Sequence, residues 1–139
     1  MTPYEADKLR WAGYRVEELD DLYYIPTQNP AEDALNIAKL LKGRWEGEVL
    51  TLRDHYDYYI RAERTPERRV WQRLQEMWGA VQKDDGTITV YTFSPTCLAL
   101  DIAEVRGIDF ARWLSSRWSF YEDGRIVFDA KLLGVQNDT

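Results

Sequence analysis

The only histidine of the chain, His55, lies within the polar segment Asp54-His55-Tyr56-Asp57. In an extended strand His55 and Asp57 would project from the same face, so that the carboxylate could orient the imidazole for general acid–base catalysis. A hydrolytic metal site usually needs three or more protein ligands, and the sequence has no second histidine to join this one. We therefore interpret the segment as a polar turn and expect neither catalysis nor a metal ion there.

The only cysteine, Cys97, follows a Ser-Pro-Thr sequence at the start of an expected helix. The positive end of the helix dipole could favour the thiolate, which is the nucleophilic form. Aliphatic residues follow Cys97 directly, however, and a cysteine in such company is usually a small buried hydrophobic side chain. A single cysteine also excludes an intrachain disulfide and any multi-cysteine metal site.

Pairs of adjacent carboxylates occur at 17–18, 20–21, 84–85 and 122–123. Two-carboxylate catalysis requires a defined separation and the desolvation of one partner, whereas the last two pairs adjoin turn signals that favour solvated acids. No glycine-rich phosphate loop, dinucleotide fingerprint, Ser-His-Asp order or zinc-ligand spacing is present. We therefore predict a non-enzymatic protein without cofactor or metal.

Three helices are predicted from their start signals and apolar spacing. Residues 2–5 (Thr-Pro-Tyr-Glu) and 29–32 (Asn-Pro-Ala-Glu) each combine an N-cap, a proline at the first helical position and a carboxylate. Gly13 and Gly43 are the expected stops of these two helices. The third helix is predicted over 66–82 from an apolar stripe at helical spacing, made of Val70, Trp71, Leu74, Met77, Trp78 and Val81.

Residues 45–52 and 56–62 are rich in β-branched and aromatic side chains that partly alternate. They predict two strands joined by a turn near 53–55. A continuous helix through Tyr59 and Ile60 is the alternative.

In the second half of the chain, residues 87–93 predict a strand that ends before Pro95. Two short helices, 96–105 and 110–117, are expected on either side of Gly107. An Asp-Gly pair at 123–124 then lies between alternating segments, which is a strong hairpin signal. The hairpin would join 118–122 to 125–132.

This order of helices and hairpins, without a repeated strand-helix-strand unit, predicts an α+β fold. We expect an antiparallel sheet of about five strands packed on one face by helices. Residues 1–139 would form a single globular domain, with 134–139 as a frayed tail. Residues 14–26 are ambiguous between helix and strand.

The sequence predicts a cytoplasmic protein that does not enter a membrane. No apolar run approaches the roughly 20 residues that span a bilayer, and the N-terminus lacks the features of a signal peptide. The formal net charge is −6, which disfavours non-specific binding to nucleic acid or anionic lipid. We therefore expect no direct binding to nucleic acid.

One cluster of arginines lies around the start of the predicted third helix and contrasts with the negative net charge of the chain. It could bind phosphates or a carboxylate-rich protein surface through bidentate guanidinium contacts. Alternatively, it is the solvent-facing side of an amphipathic helix whose arginines pair with neighbouring acids. Trp71 beside these arginines would form a patch of the residue types found at interface hot spots. The cluster comprises Arg61, Arg64, Arg68, Arg69 and Arg73.

A second candidate surface mixes acids with aromatic residues in the ambiguous segment. The acids could attract an Arg/Lys-rich partner while the tyrosines supply anchoring area. Equally, the apolar residues could line the core while the acids face solvent. The predicted partner-binding residues here are Glu17, Glu18, Asp20, Asp21, Tyr23 and Tyr24.

Taken together, these features favour a regulator or inhibitor that docks on a larger protein or protein complex. In size, acidity, its excess of Arg over Lys and its α+β pattern, the chain resembles the small regulators that bacteriophages of thermophilic hosts make to bind host RNA polymerase. The resemblance implies a partner such as RNA polymerase or a sigma factor, an effect on transcription, and residence in the host cytoplasm.

Two alternative functions remain open at this point. Immunity proteins and nuclease-inhibiting proteins share the same whole-chain character. A nucleic-acid-binding protein that uses the Arg-rich third helix is the other alternative.

Overall fold

The chain folds into two compact units, Met1–Thr65 and Pro66–Thr139. The computed structural model describes residues 1–42 and 58–135 and the backbone of residues 48–51. Each unit combines helices with a four-stranded antiparallel sheet, so the predicted α+β class is confirmed. The strands are distributed over two sheets rather than one sheet of about five strands. That both units belong to one domain stays a prediction.

In its described residues, the first unit contains two helices and one four-stranded sheet with the strand order β1-β2-β4-β3. All neighbouring strands in it are antiparallel. In chain order the elements are α1 (Pro3–Trp11), β1 (Glu17–Leu19), β2 (Leu22–Thr27), α2 (Pro30–Leu40), β3 (Glu48–Thr51) and β4 (Tyr58–Glu63).

Both helices of this unit begin where their capping signals predict. The Thr2 hydroxyl accepts a hydrogen bond from the Glu5 amide at 3.3 Å, and Glu5 Oε1 accepts one from the Thr2 amide at 3.1 Å. This reciprocal pair is a complete capping box. At α2 the Asn29 side chain accepts from the Glu32 amide. Gly43, the predicted stop of α2, lies outside the described residues.

The ambiguous segment 14–26 contains a β-hairpin formed by β1 and β2. Its turn is made by Asp20 and Asp21, and Asp20 adopts the left-handed conformation with φ 56°. Asp is one of the few non-glycine residues that tolerate this region, which explains how the chain turns without a glycine. Between 56 and 62, the described part is strand β4 and not a helix.

The core of the first unit lies between its sheet and its helices. The central strands β2 and β4 pair with Ile25 opposite Ile60, and both side chains are fully buried. The predicted turn near 53–55 and the first part of the predicted strand 45–52 lie outside the described residues. The buried cluster comprises Met1, Ala6, Leu9, Val16, Tyr23, Ile25, Ile37, Leu41, Ile60 and Ala62.

The second unit contains three helices and a four-stranded sheet with the order β5-β6-β8-β7. Again all neighbouring strands are antiparallel. Its elements are α3 (Arg68–Trp78), β5 (Val81–Gln82), β6 (Thr87–Tyr91), α4 (Pro95–Arg106), α5 (Ile108–Ser115), β7 (Ser119–Phe120), β8 (Arg125–Asp129) and a 3₁₀ helix (Ala130–Leu133).

Helix α3 is shorter than the predicted span 66–82. It ends at Gly79, whose φ of +62° belongs to the left-handed region in which glycine carries no steric cost. The chain then turns into strand β5, and for this reason Val81 does not continue the helical stripe. Val81 and Met77 are both exposed, whereas Val70 and Leu74 are buried.

The Asp-Gly hairpin between β7 and β8 is confirmed, with Gly124 at φ +85°. The two predicted short helices are also present, separated by Gly107 at φ +101°. At the C-terminal end, β8 stops at Asp129 because the 3₁₀ helix follows it. Gly134 closes that helix in the left-handed conformation, and the rest of the predicted tail, 136–139, lies outside the described residues.

The second sheet has one buried face and one open face. Side chains alternate between the faces of a strand, so the buried residues of β6 and β8 share one side. They are Ile88, Val90, Ile126 and Phe128. The opposite side carries Thr87, Thr89, Tyr91, Arg125 and Val127, which line a concavity.

No helix in the described part of the chain is long and apolar enough to cross a membrane.

Candidate protein-binding surfaces

The acidic segment that the sequence predicts as a binding surface is held by an arginine of its own unit. Arg64 is largely buried and donates hydrogen bonds to the carbonyl of Asp20 at 2.7 Å and to Asp21 Oδ1 at 3.2 Å. Glu18 lies 4.0 Å from the same guanidinium. Arg64 therefore fastens the β1–β2 turn to the end of β4, and it presents little free charge to a partner.

Other ion pairs neutralise more of this segment. Glu17 contacts Arg15 at 2.7 Å, and Glu18 lies 3.8 Å from Arg10. Exposed pairs of this kind contribute only about 0–1 kcal/mol to stability each. Their consequence here is electrostatic, because the hairpin surface is less negative than its sequence suggests.

Of the two tyrosines predicted to contact a partner, Tyr23 lies in the core. It is 1% exposed, since it alternates with Leu22 and Tyr24 along β2 and points to the buried face. Burial raises the pKa of its phenol well above the ordinary value of 10.0, and the nearby Glu18 carboxylate adds to the shift. Tyr24 is half-buried against Tyr59, with ring centroids 6.3 Å apart.

The Tyr23 hydroxyl is buried and has no hydrogen-bond partner within the described residues. Burial of an unpaired hydroxyl costs about 1–3 kcal/mol. We therefore expect Tyr23→Phe to raise the free energy of unfolding by about 1 kcal/mol at neutral pH, measured by urea denaturation. A decrease would show that the hydroxyl has a partner and would contradict this assignment.

The raised pKa of Tyr23 also sets an expected pH dependence. Below pH 10 the phenol is neutral in both the folded and the unfolded chain, so it does not make stability depend on pH. Above pH 10 only the unfolded chain releases the proton readily, and stability should fall by up to about 1.4 kcal/mol per pH unit. Tyr23→Phe should remove this contribution, so its stability advantage over wild type should widen as pH rises above 10.

The predicted arginines of α3 differ in whether they form ion pairs within the protein. Arg73 pairs with Asp101 on α4 at 2.9 Å, and the Trp78 indole donates to the other oxygen of Asp101 at 2.8 Å. Arg68 and Arg69 are exposed. Trp71 is half-buried and, together with Arg68, lines a groove described below.

The second unit also presents a surface that the sequence did not single out. Tyr91, Phe93 and Tyr121 are 62%, 79% and 45% exposed, respectively, which is unusual for large aromatic side chains. We call Tyr91, Phe93, Tyr121 and Arg125 the aromatic surface. Its members lie at one end of β6 and on the β7–β8 hairpin.

Direct contacts along the hairpin and across the sheet join these four residues into one continuous surface. Tyr91 and Arg125 are direct neighbours across β6 and β8. The Arg125 guanidinium lies 4.4 Å from the centroid of the Tyr121 ring, and the Phe93 ring packs on Gly124, where an added Cβ would come within 3.0 Å of it. Tyr91, Tyr121 and Arg125 line the concavity on the open face of the sheet, which has a volume of about 510 Å³.

Acidic side chains form part of the rim of this concavity. Asp84 and Asp85 lie on its wall together with Lys83. The Thr87 hydroxyl and amide donate to Asp85 Oδ1 at 2.6 and 3.0 Å, and these hydrogen bonds lower the pKa of the carboxyl. The aromatic surface is therefore bordered by a carboxylate that stays ionised at neutral pH.

Of the two candidates for nucleophilic or acid–base chemistry, only Cys97 lies within the described residues. Cys97 is exposed in the first turn of α4 and not buried as its aliphatic neighbours suggested. His55 and Asp57 lie outside the described residues. Among the residues that the structure describes, no group of three or more His, Cys, Asp or Glu side chains could hold a metal ion.

The sequence contains a signal for the aromatic surface in the alternation of residues along β6, which the overall composition does not show. Tyr91 and Phe93 alternate with the buried Val90 and should therefore face the other side of the sheet. Tyr121 lies two positions before the Asp123-Gly124 turn that brings β7 and β8 together. Alternation along a strand does not show whether another element covers that side of the sheet.

Comparison with known proteins identified no similar protein. No protein-family model matches the chain, and no curated protein and no solved structure shows significant similarity to it.

Proposed function

We propose that this chain is a non-enzymatic regulator or inhibitor that binds a larger protein or protein complex through its aromatic surface. The supporting observation is the exposure of three large aromatic side chains at one end of the second sheet, with Tyr91 and Tyr121 beside Arg125. Tyr and Arg are the residue types that dominate binding energy in protein interfaces, and contiguous exposed apolar area of this kind is often functional.

The size of the surface is sufficient for an anchor. Covering the exposed parts of the three rings would remove on the order of 300 Å² from water, which corresponds to about 7 kcal/mol at about 25 cal/mol per Å². Association itself costs an estimated 4–15 kcal/mol. The aromatic surface would therefore need surrounding contacts but could supply a large share of the binding energy.

The net charge of −6 favours a partner with a basic surface, while the concavity itself is lined by two carboxylates, Asp84 and Asp85, and two cations, Lys83 and Arg125. Asp84 and Asp85 would attract lysine or arginine side chains and would disfavour an acidic partner. Enzymes that handle nucleic acid carry basic surfaces of this kind. This supports the class of partner implied by the resemblance to phage regulators, namely RNA polymerase or its sigma factor, and equally a nuclease.

Affinity capture with purified targets tests the proposal. The immobilised chain would be exposed to bacterial RNA polymerase core enzyme, to the holoenzyme and, separately, to a lysate of the same bacterium. We expect retention of one large complex by the wild-type chain and its loss with a variant that carries serine at Tyr91, Phe93 and Tyr121. Equal retention by this variant, or no retention at low salt, would contradict the proposal.

The identity of the retained protein decides between the regulator classes. Retention of polymerase core or holoenzyme supports the transcription regulator. Retention of a nuclease or a toxin instead, with the same dependence on the aromatic surface, supports the inhibitor.

A further inference from the structure

The N-terminus of α3 carries an unusual distribution of charge. The first turn contains Arg68 and Arg69 and no acidic residue. The preceding residue, Glu67, makes no capping hydrogen bond, because its side chain pairs with Arg106 instead, with Oε2 3.0 Å from Arg106 Nε. Cations at the positive end of a helix dipole are destabilising, so the chain keeps these two arginines at a cost to the stability of its own helix.

Arg68 and Arg69 also have no ion-pair or hydrogen-bond partner within the described part of the chain. Natural sequences break local rules of this kind mainly at functional sites. The arrangement therefore points to a binding role for this end of the helix.

A groove lies directly beside Arg68. It has a volume of about 420 Å³, and one side of it is formed by the face of α3 that carries Trp71. The lining contains no acidic side chain and combines one cation, two primary amides and apolar surface. Its residues are Pro66, Arg68, Trp71, Gln72, Gln75, Gly134 and Val135.

We infer that this groove, which we call the α3 groove, binds an acidic segment of a protein partner. One carboxylate of the segment would pair with Arg68 in the groove and a second with Arg69, which lines the adjoining pocket. The Gln75 amide would donate a further hydrogen bond, whereas Gln72 Nε2 already donates to Glu76 at 3.1 Å. An apolar side chain of the segment would lie against the Trp71 ring. This surface is separate from the aromatic surface and adds a partner of opposite charge to the proposed function.

The chemistry of the α3 groove favours carboxylates on a protein over the phosphates of a nucleic acid. Phosphate-backbone binding depends on many cations, because each neutralised phosphate adds to the release of counterions. Of these two arginines, only Arg68 lines the groove, and Arg69 lines an adjoining pocket together with Glu76 and Glu104. An acidic protein segment needs only two or three charge contacts and gains the apolar contact with Trp71.

Binding of a labelled acidic peptide tests this inference without knowledge of the natural partner. The probe would be a short peptide of alternating Glu and Asp with one central Phe, followed by fluorescence anisotropy at about 150 mM salt, where long-range repulsion is screened beyond about 8 Å. The control peptide carries the corresponding amides, Gln and Asn. We expect the wild-type chain to bind the acidic peptide and not the amide peptide.

Charge reversal separates loss of binding from loss of structure. Arg68→Glu should weaken peptide binding about tenfold, and the double variant Arg68→Glu with Arg69→Glu about a hundredfold. Because Arg68→Glu places a carboxylate in the first turn of α3, its Tm should be no lower than that of wild type. Arg112→Glu, at an exposed arginine of α5, has the same net charge as Arg68→Glu and should bind the peptide like wild type.

Three results would overturn the inference. The wild-type chain does not bind the acidic peptide, or Arg112→Glu and Arg68→Glu weaken binding equally, or a DNA duplex binds more tightly than the peptide and depends on the same two arginines. The serine variant of the aromatic surface should still bind the peptide, so this experiment and the capture experiment fail independently.

Discussion

Replacement of Tyr91, Phe93 and Tyr121 together by serine is expected to weaken partner binding by about a thousandfold. Truncation of a hot-spot residue costs about 2 kcal/mol or more, and these costs are not additive. If two of the three rings act as hot spots, the loss is about 4 kcal/mol, which corresponds to about a thousandfold. The fold should tolerate these changes, since the three side chains are largely exposed and the buried face of the sheet is not altered. Titration of the captured partner with wild-type and variant chains measures the effect.

Matched exposed residues elsewhere on the same unit provide the control for this prediction. Leu100 on α4 and Ile108 on α5 are 63% and 57% exposed, so Leu100→Ser with Ile108→Ser removes exposed apolar side chains outside the aromatic surface. This variant should bind like wild type. An equal loss with both variants would show that general surface hydrophobicity drives capture, and the aromatic surface would not be the binding site.

Arg106→Met is expected to lower the free energy of unfolding by about 3 kcal/mol, the largest effect on stability foreseen for a single substitution. Glu67 is 5% exposed; its Oε2 lies 3.0 Å from Arg106 Nε, and its Oε1 has no hydrogen-bond partner among the described residues. Removal of one partner of a buried ion pair leaves a desolvated charge without compensation, which costs about 3–5 kcal/mol. Thermal unfolding should shift by about 10 °C, and urea denaturation would give the free energy.

A double-mutant cycle makes this prediction specific. Glu67→Met combined with Arg106→Met removes both charges and should recover most of the loss, because replacement of a whole buried pair by apolar residues is often nearly neutral. If the double variant is as unstable as Arg106→Met, the loss stems from packing of Arg106, for example on the Phe110 ring 5.6 Å away, and not from the ion pair.

Local signals in the sequence predicted much of the secondary structure. The capping box at Thr2 and the cap at Asn29 start their helices as expected, because each signal is a hydrogen bond between residues three positions apart. The Asp123-Gly124 turn defines its hairpin for the same reason. Each of these elements is determined by a few neighbouring residues, so the local sequence contains all the groups involved.

The predicted start of the third helix was wrong because residues distant in the sequence determine where this helix begins. Thr65 and Pro66 resemble a helix start, yet α3 begins at Arg68 because the Glu67 amide donates to the Leu133 carbonyl and the Thr65 amide donates to the Met1 carbonyl. Those acceptors lie more than 60 positions away in the sequence. No local pattern contains this information.

The candidate surfaces show the same division between local and long-range information. Arg64 and Asp21 were predicted as parts of two separate surfaces, but they are 43 positions apart and hydrogen-bonded to each other. Tyr23 was predicted to face a partner and is instead a core residue of β2. Arg68 and Arg69, in contrast, are exposed as predicted, since the helical period places them opposite the buried Val70 and Leu74 stripe.

Amide hydrogen exchange of the captured complex tests the central claim most directly. Binding through the aromatic surface should slow exchange in residues 89–93 and 119–127 of the bound chain relative to the free chain. The β1–β2 hairpin of the first unit should exchange as it does in the free chain. Protection confined to that hairpin, or an unchanged pattern across 89–93 and 119–127, would contradict the account.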